Sequence, residues 1–155
     1  MNFRIVVGVD GSEAGRRALR WAAGEVAARG GTVQAVTAWS WDGTGTFAPT
    51  ATTPEEEQIR AEKIVFDEVA KISAEFPTVT IAADVVEGHP ARVLTKAAAD
   101  ADLLALGSHG HSRLHQAVLG SISEECVRTA GCPVVVLPVP RPAHTRPAEV
   151  VATGV

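Results

Sequence analysis

Apolar positions along the chain change period several times, and each change marks an element. Phe3 to Val9 is rich in Ile and Val, as a strand buried on both faces should be, and it runs out at Gly8-Val9-Asp10-Gly11-Ser12. Ser12 then caps a predicted helix that places Ala14, Ala18, Ala22 and Val26 on one face and turns Arg16, Arg17 and Arg20 outward, with Gly30-Gly31 stopping it. A second strand follows from Thr32 to Trp39. Thr53-Pro54-Glu55-Glu56 combines an N-cap, a first-turn proline and a capping-box glutamate, and Ala61, Val65, Val69 and Ile72 make the stripe of what should be the longest helix.

Thr78 to Val86 reads as a third strand. Gly88-His89-Pro90 turns it into a helix with Val93, Leu94, Ala97 and Ala98 inward. A fourth strand, Asp102 to Leu106, a helix marked by Ile122, Cys126 and Ala130, and a fifth strand, Pro133 to Leu137, complete a βαβαβαβαβ alternation. Right-handed crossovers then predict an α/β fold, a doubly wound five-stranded parallel sheet of order 3-2-1-4-5 with helices on both faces. In that order the winding reverses between strands one and four, where such sheets bind ligands, and Asp10 and Gly107 fall at those two carboxyl ends. Ser40 to Thr52 lacks periodicity and reads as a mobile loop near the same end.

A length of 155 residues supports one well-buried core. The expected domain is 1–138, followed by a proline-rich, flexible tail over 139–155. A net charge of −4 gives no general attraction to nucleic acid or to anionic lipid, so neither is expected as a partner. No run approaches the roughly 18 apolar residues of a membrane span, and the start of the chain lacks a signal peptide's apolar core, so a cytoplasmic location is expected. Cys126 and Cys132 form no C-x-x-C pair and read as buried, reduced thiols.

The chemistry concentrates after strand four. Gly107, Gly110 and Gly120, with Ser121 next, sit in a strand-loop-helix context where backbone N–H groups and a helix N-terminus favour an anion. That spacing points to a phosphate cradle and hence a nucleotide. Neither the Rossmann glycine pattern nor a Walker lysine is present, which removes the main support for dehydrogenases and P-loop kinases. His109, His111 and His115 lie in the loop without an accompanying Cys or carboxylate, so no metal site is assigned. Trp21 reads as core packing, while for Trp39, at the end of strand two, base stacking and packing both stay open. The apolar fifth strand lies at a sheet edge, which suits a two-fold dimer or shielding by the tail.

Val-Gly-Val-Asp10-Gly-Ser, Gly88-His-Pro90, Asp102-Leu-Leu-Ala-Leu-Gly-Ser-His-Gly110 and Gly120-Ser121 occur in an order that resembles the universal stress protein family. The resemblance covers about residues 3–137 and includes that family's Gly-x2-Gly-x9-Gly-Ser/Thr pattern. It implies an adenine nucleotide alpha-hydrolase-like fold, a homodimer, and ATP as cofactor, alone or with magnesium. By the same likeness Asp10 would hold the ribose, and Gly8, Val9, Ala38 and Leu106 would border adenine and ribose. Gly107, Gly110, His111, Ser112, Arg113, Gly120, Ser121 and Ile122 would surround the phosphates, and Ser108 would belong to the same cofactor site. For Asp10 the residues alone leave a second role open, that of capping the first helix. The function implied is nucleotide-dependent regulation in a stress response, with no catalytic residue assigned. A weak ATP hydrolase and a nucleotide-free dimeric adaptor stay open as alternatives.

Overall fold

The central strand β1 (Arg4–Gly8) has no polar residue between its ends, because both of its faces are covered. In the computed structural model, which describes residues 2–41, 52–109 and 119–138, side chains alternate between two apolar layers. Ile5 and Val7 enter one core and Val6 the other, all fully buried. Burial of side chains this size stabilises by about 1.5–3 kcal/mol each, so a charge at any of the three would break a layer.

Around β1 the chain runs through α1 (Glu13–Arg29), β2 (Thr32–Trp39), α2 (Pro54–Glu75), β3 (Thr80–Glu87), α3 (Pro90–Ala97), β4 (Leu103–Gly107), α4 (Ser121–Thr129) and β5 (Val134–Leu137). Every strand pair is parallel and the order is β3-β2-β1-β4-β5, the doubly wound sheet expected from the sequence. α1 and α2 supply Leu19, Val26, Val65 and Ile72 to one core. α3 and α4 supply Val93, Leu94 and Cys126 to the other.

Local chemistry sets the helix starts. The Ser12 hydroxyl accepts from the Gly15 N–H at 3.1 Å, and Thr53 and Glu56 form a reciprocal capping box at the start of α2. Four strand starts fall later than expected, β1 at Arg4 and β4 at Leu103 by a single residue each. β3 begins at Thr80 rather than Thr78, because the Val79 N–H turns back to the Phe76 carbonyl. β5 begins at Val134, one residue after a proline that has no N–H to give to a ladder.

The expectation that Arg16 points simply outward is corrected. Its guanidinium grips Glu68 of α2 through two 2.7 Å hydrogen bonds, with the Glu68 side chain only 5% exposed. That bidentate contact holds the Glu68 carboxyl below the ordinary carboxylate range, and Lys71 adds a 3.4 Å contact. Arg20 makes a similar fork to Glu75, but both side chains are close to half exposed and solvent weakens the pair.

Candidate functional site

A cleft of about 180 Å³ opens at the carboxyl ends of β1 and β4, where the winding reverses. Parallel strands end here with the chain leaving β1 for one face of the sheet and β4 for the other, so the strand ends are not covered by either connection. Val9, Val36, Ala38, Leu94, Leu106 and Ile122 give the cleft an apolar lining drawn from five elements or their ends. Beneath it, the Val9 N–H donates to the Val36 carbonyl at 2.9 Å, and the buried Thr37 hydroxyl donates to the Val9 carbonyl at 2.8 Å. These bonds extend the β1–β2 pairing one residue past β1 and fix Asp10 at the rim.

The Asp10 carboxylate faces the start of α1. Its Oδ1 accepts from the Ser12 N–H at 2.9 Å and also from the Ser12 hydroxyl. Ser12 itself is buried and lines the cleft with Gly15. Asp10 therefore reaches α1 through the N-cap residue, while Ser12 rather than Asp10 is the cap.

The β4 side is built differently. Gly107 ends the strand against the first turn of α1, where a Cβ would sit 2.6 Å from the Ala14 Cβ and 2.8 Å from its carbonyl carbon. Close helix-strand packing accounts for glycine at this position. The Ser123 hydroxyl donates to the Gly107 carbonyl at 2.7 Å, and the Gly120 N–H donates to the Ser108 carbonyl at 2.8 Å. The first bond along α4 runs from the Glu124 N–H to the Gly120 carbonyl, so the N–H groups of Ser121, Ile122 and Ser123 precede its ladder. His109 lines the cleft with its Nδ1 3.2 Å from the Ser108 hydroxyl oxygen.

Of the residues singled out from the sequence, Gly8, Val9, Asp10, Ala38, Leu106, Gly107 and Ile122 line this one cleft. Ser108, Gly120 and Ser121 belong to the adjoining turn and helix start but do not line it. Gly110, His111, Ser112 and Arg113 lie outside the described residues, as does His115. Ser12, Gly15, Val36, Pro90, Leu94, His109 and Ser123 line the cleft without having been singled out for it. Trp39 does not line it, Trp21 packs against the α1/α2 core, and the exposed Trp41 donates its indole N–H to Thr52. Burial raises the Cys126 thiol to about 11, with Glu125 adding to the shift, and the half-buried Cys132 is also raised. Neither thiol suits nucleophilic work.

No cluster of three or more metal-ligating side chains occurs among the described residues, and no described helix is long and apolar enough to cross a membrane. The universal stress protein family model matches residues 1–138. Universal stress protein Rv2005c of Mycobacterium tuberculosis is 34% identical over 132 residues, covering 85% of this chain and 44% of its own length. Universal stress protein Rv2624c of the same organism is 30% identical over 136 residues, covering 86% and 47%. The chain thus spans about half the length of these curated relatives. Among solved structures, a universal stress protein from Archaeoglobus fulgidus in complex with dAMP is 26% identical with a TM-score of 0.65, covering 86% of this chain and 96% of that one. A universal stress protein in complex with cAMP, 23% identical with a TM-score of 0.64 and covering 87% and 96%, shares the fold.

Proposed function

Since the chain belongs to the universal stress protein family, we propose that its cleft binds an adenine nucleotide, specifically ATP, and that the protein acts as a nucleotide-dependent regulator in a cytoplasmic stress response. The observation that carries this reading is the union, at the switch point, of an apolar lining with a carboxylate at its rim. The dAMP-bound archaeal relative supports the nucleotide class.

The residues fit such a ligand in parts. Val36, Ala38, Leu94, Leu106 and Ile122 offer a flat ring apolar contact, while Asp10 offers an acceptor to sugar hydroxyls. Ser121, Ile122 and Ser123 place their N–H groups at the positive end of α4, which suits an anion. The 180 Å³ bounded by described residues falls below the ~300 Å³ at which pockets for drug-sized ligands begin, so it accommodates part of a nucleotide. Gly110, His111, Ser112 and Arg113 are proposed for the phosphates, with Gly107 acting there through its backbone. Magnesium, if carried, would enter with those phosphates. Bound ligand supplies negative charge for this end of the sheet to grip, and the regulatory output follows from a ligand-dependent arrangement of the β4–α4 connection.

Homodimer formation through β5 belongs to the same proposal. Its four residues are half-buried at the sheet edge, where unpaired backbone groups invite a second strand.

The test is chemical identification of any small molecule released from the purified, denatured protein, together with calorimetric titration of ATP, AMP and GTP. An adenine nucleotide released or bound, with a melting temperature that rises with ligand concentration, is the expected result. Absence of both would overturn the reading.

A further inference from the structure

The chain leaves the sheet beside the cleft. β5 runs parallel to β4 with Leu137 opposite Gly107, and the Ser108 N–H donates to the Leu137 carbonyl at 2.9 Å. Gly107 lines the cleft, so the last residue of β5 stands one strand spacing, about 4.8 Å, from its wall. The next residue is held too. Arg17 of α1 donates from its guanidinium to the Pro138 carbonyl. α1 starts at the cleft, where Ser12 and Gly15 line it, so this contact ties the exit of the chain to the helix behind the opposite wall.

The cleft wall is short of positive charge. Among the described residues no lysine or arginine lines it, and Asp10 places a carboxylate at its rim. A triphosphate brings several negative charges to this end of the sheet, against which backbone N–H groups offer only partial charges. Arg113, already proposed for the phosphates, lies outside the described residues. Past Pro138 the sequence reads Val-Pro-Arg141-Pro-Ala-His-Thr-Arg146-Pro147, two arginines ahead of a single acid, Glu149. The chain as a whole carries −4, so this segment is of opposite sign to the body it leaves. Arg141 lies four residues past Leu137, a contour of up to about 14 Å, which exceeds the strand spacing between Leu137 and the wall. Pro138, Pro140, Pro142 and Pro147 each fix a backbone angle, which lowers the entropy lost when the arginines dock on an anion.

We infer that Arg141 and Arg146 contact the outer phosphates of a nucleotide held in the cleft, and that Arg17 is a positioning residue that sets the direction from which they arrive. The inference rests on the nucleotide-binding reading above. It adds a source of counter-charge beyond residues 1–138, the span that the family model matches. Guanidinium groups pair with phosphate oxygens through charge-assisted hydrogen bonds, and these count for a triphosphate far more than for a monophosphate seated deeper in the cleft.

The measurement is the ratio of the Kd for AMP to that for ATP, by calorimetry without divalent cations, at low and at high salt. It is made in the full chain as wild type, Arg141→Ala/Arg146→Ala, Arg141→Lys/Arg146→Lys and Arg17→Ala. The wild type is expected to favour ATP by about tenfold or more at low salt and to lose most of that preference at high salt. The double alanine variant should bring the ratio toward one, chiefly by weakening ATP. The double lysine variant, which keeps the charge, should retain the preference at low salt. Arg17→Ala should fall between wild type and the double alanine variant, although Arg17 does not line the cleft. An Arg17→Ala ratio equal to that of the wild type overturns its positioning role. A double alanine variant that keeps the wild-type ratio, or weakens AMP as much as ATP, overturns the inference while the nucleotide reading stands. A wild type that binds neither nucleotide overturns both.

Discussion

The two walls of the cleft are held by different means. The β1–α1 wall is a relay of polar side chains: Asp10 is fixed by Ser12, Ser12 caps α1, and one residue beyond Gly15 the Arg16 fork ties the same helix to Glu68. The β4–α4 wall relies on backbone. Gly107 lies flat against Ala14, and the Gly107 and Ser108 carbonyls accept from Ser123 and Gly120. Side-chain relays can be loosened by degrees, whereas a backbone pressed against backbone has no intermediate setting. The walls also meet, since Ala14, which excludes any side chain at Gly107, stands on the helix that Ser12 caps. Strain on the backbone wall should therefore reach the polar one, while the reverse effect should be weaker.

The sharpest way to break this contrast is Gly107→Val. Its Cβ would overlap the Ala14 Cβ and carbonyl carbon, and the latter, being backbone, cannot rotate away. We expect a loss of about 3 kcal/mol or more, seen as a fall in melting temperature on the order of 10 °C. A variant that melts within a degree or two of the wild type would show that α1 can slide, and the distinction between the walls would fail.

Glycine spacing made the β4 loop visible in the sequence but could not show a second, steric demand on one of its members. Gly107 sits where a phosphate cradle would need it, yet the atoms nearest its missing Cβ belong to α1. Strand order was legible because alternating elements and right-handed crossovers leave few topologies, and the start of α2 was legible because Thr53-Pro54-Glu55-Glu56 encodes its own cap. Most missed lining residues come from elements whose facing depends on how the sheet closes. Leu94 read as core, and nothing local to it says that its side chain ends at the cleft. Glu68 carried a usable signal: it interrupts the apolar stripe between Val65 and Ile72, where a buried carboxylate requires a cation. Its partner lies 52 residues away, beyond what periodicity reports.

That ion pair gives the next largest test. Arg16→Met leaves the Glu68 carboxylate buried with only the 3.4 Å Lys71 contact. Full loss of one partner from a buried pair costs about 3–5 kcal/mol, and since the Arg16 side chain is 30% exposed and Lys71 remains, we expect about 2 kcal/mol at pH 7. The pH dependence has a definite sign. Arg16 depresses the folded-state pKa of Glu68, so the pair's contribution is present above the unfolded value near 4.5 and is lost as pH falls through the lowered folded one. Denaturant melts should therefore show the gap between variant and wild type narrowing below about pH 4.5. A gap that stays constant from pH 7 to pH 3 would mean that packing of the arginine stem, and not its charge, holds α1 to α2.

The smallest effect sharpens the comparison most. Ser12 and Ser123 are both buried serines in the first turn or cap of a helix, both line the cleft, and each donates its hydroxyl. They differ in what receives the proton: a side-chain carboxylate for Ser12, a strand-end backbone carbonyl for Ser123. Truncation of either to alanine should cost about 1 kcal/mol in a denaturant melt, the ordinary worth of a cap or a buried hydrogen bond. Ser12→Ala should also weaken ATP binding in calorimetry more than Ser123→Ala does, because it removes a hydrogen bond from Asp10, the proposed sugar contact, whereas the Gly107 carbonyl is held by the chain on both sides and keeps its direction when its donor is gone. Equal losses of affinity in the two variants would show that binding follows general softening of the cleft, and the two walls would then be one.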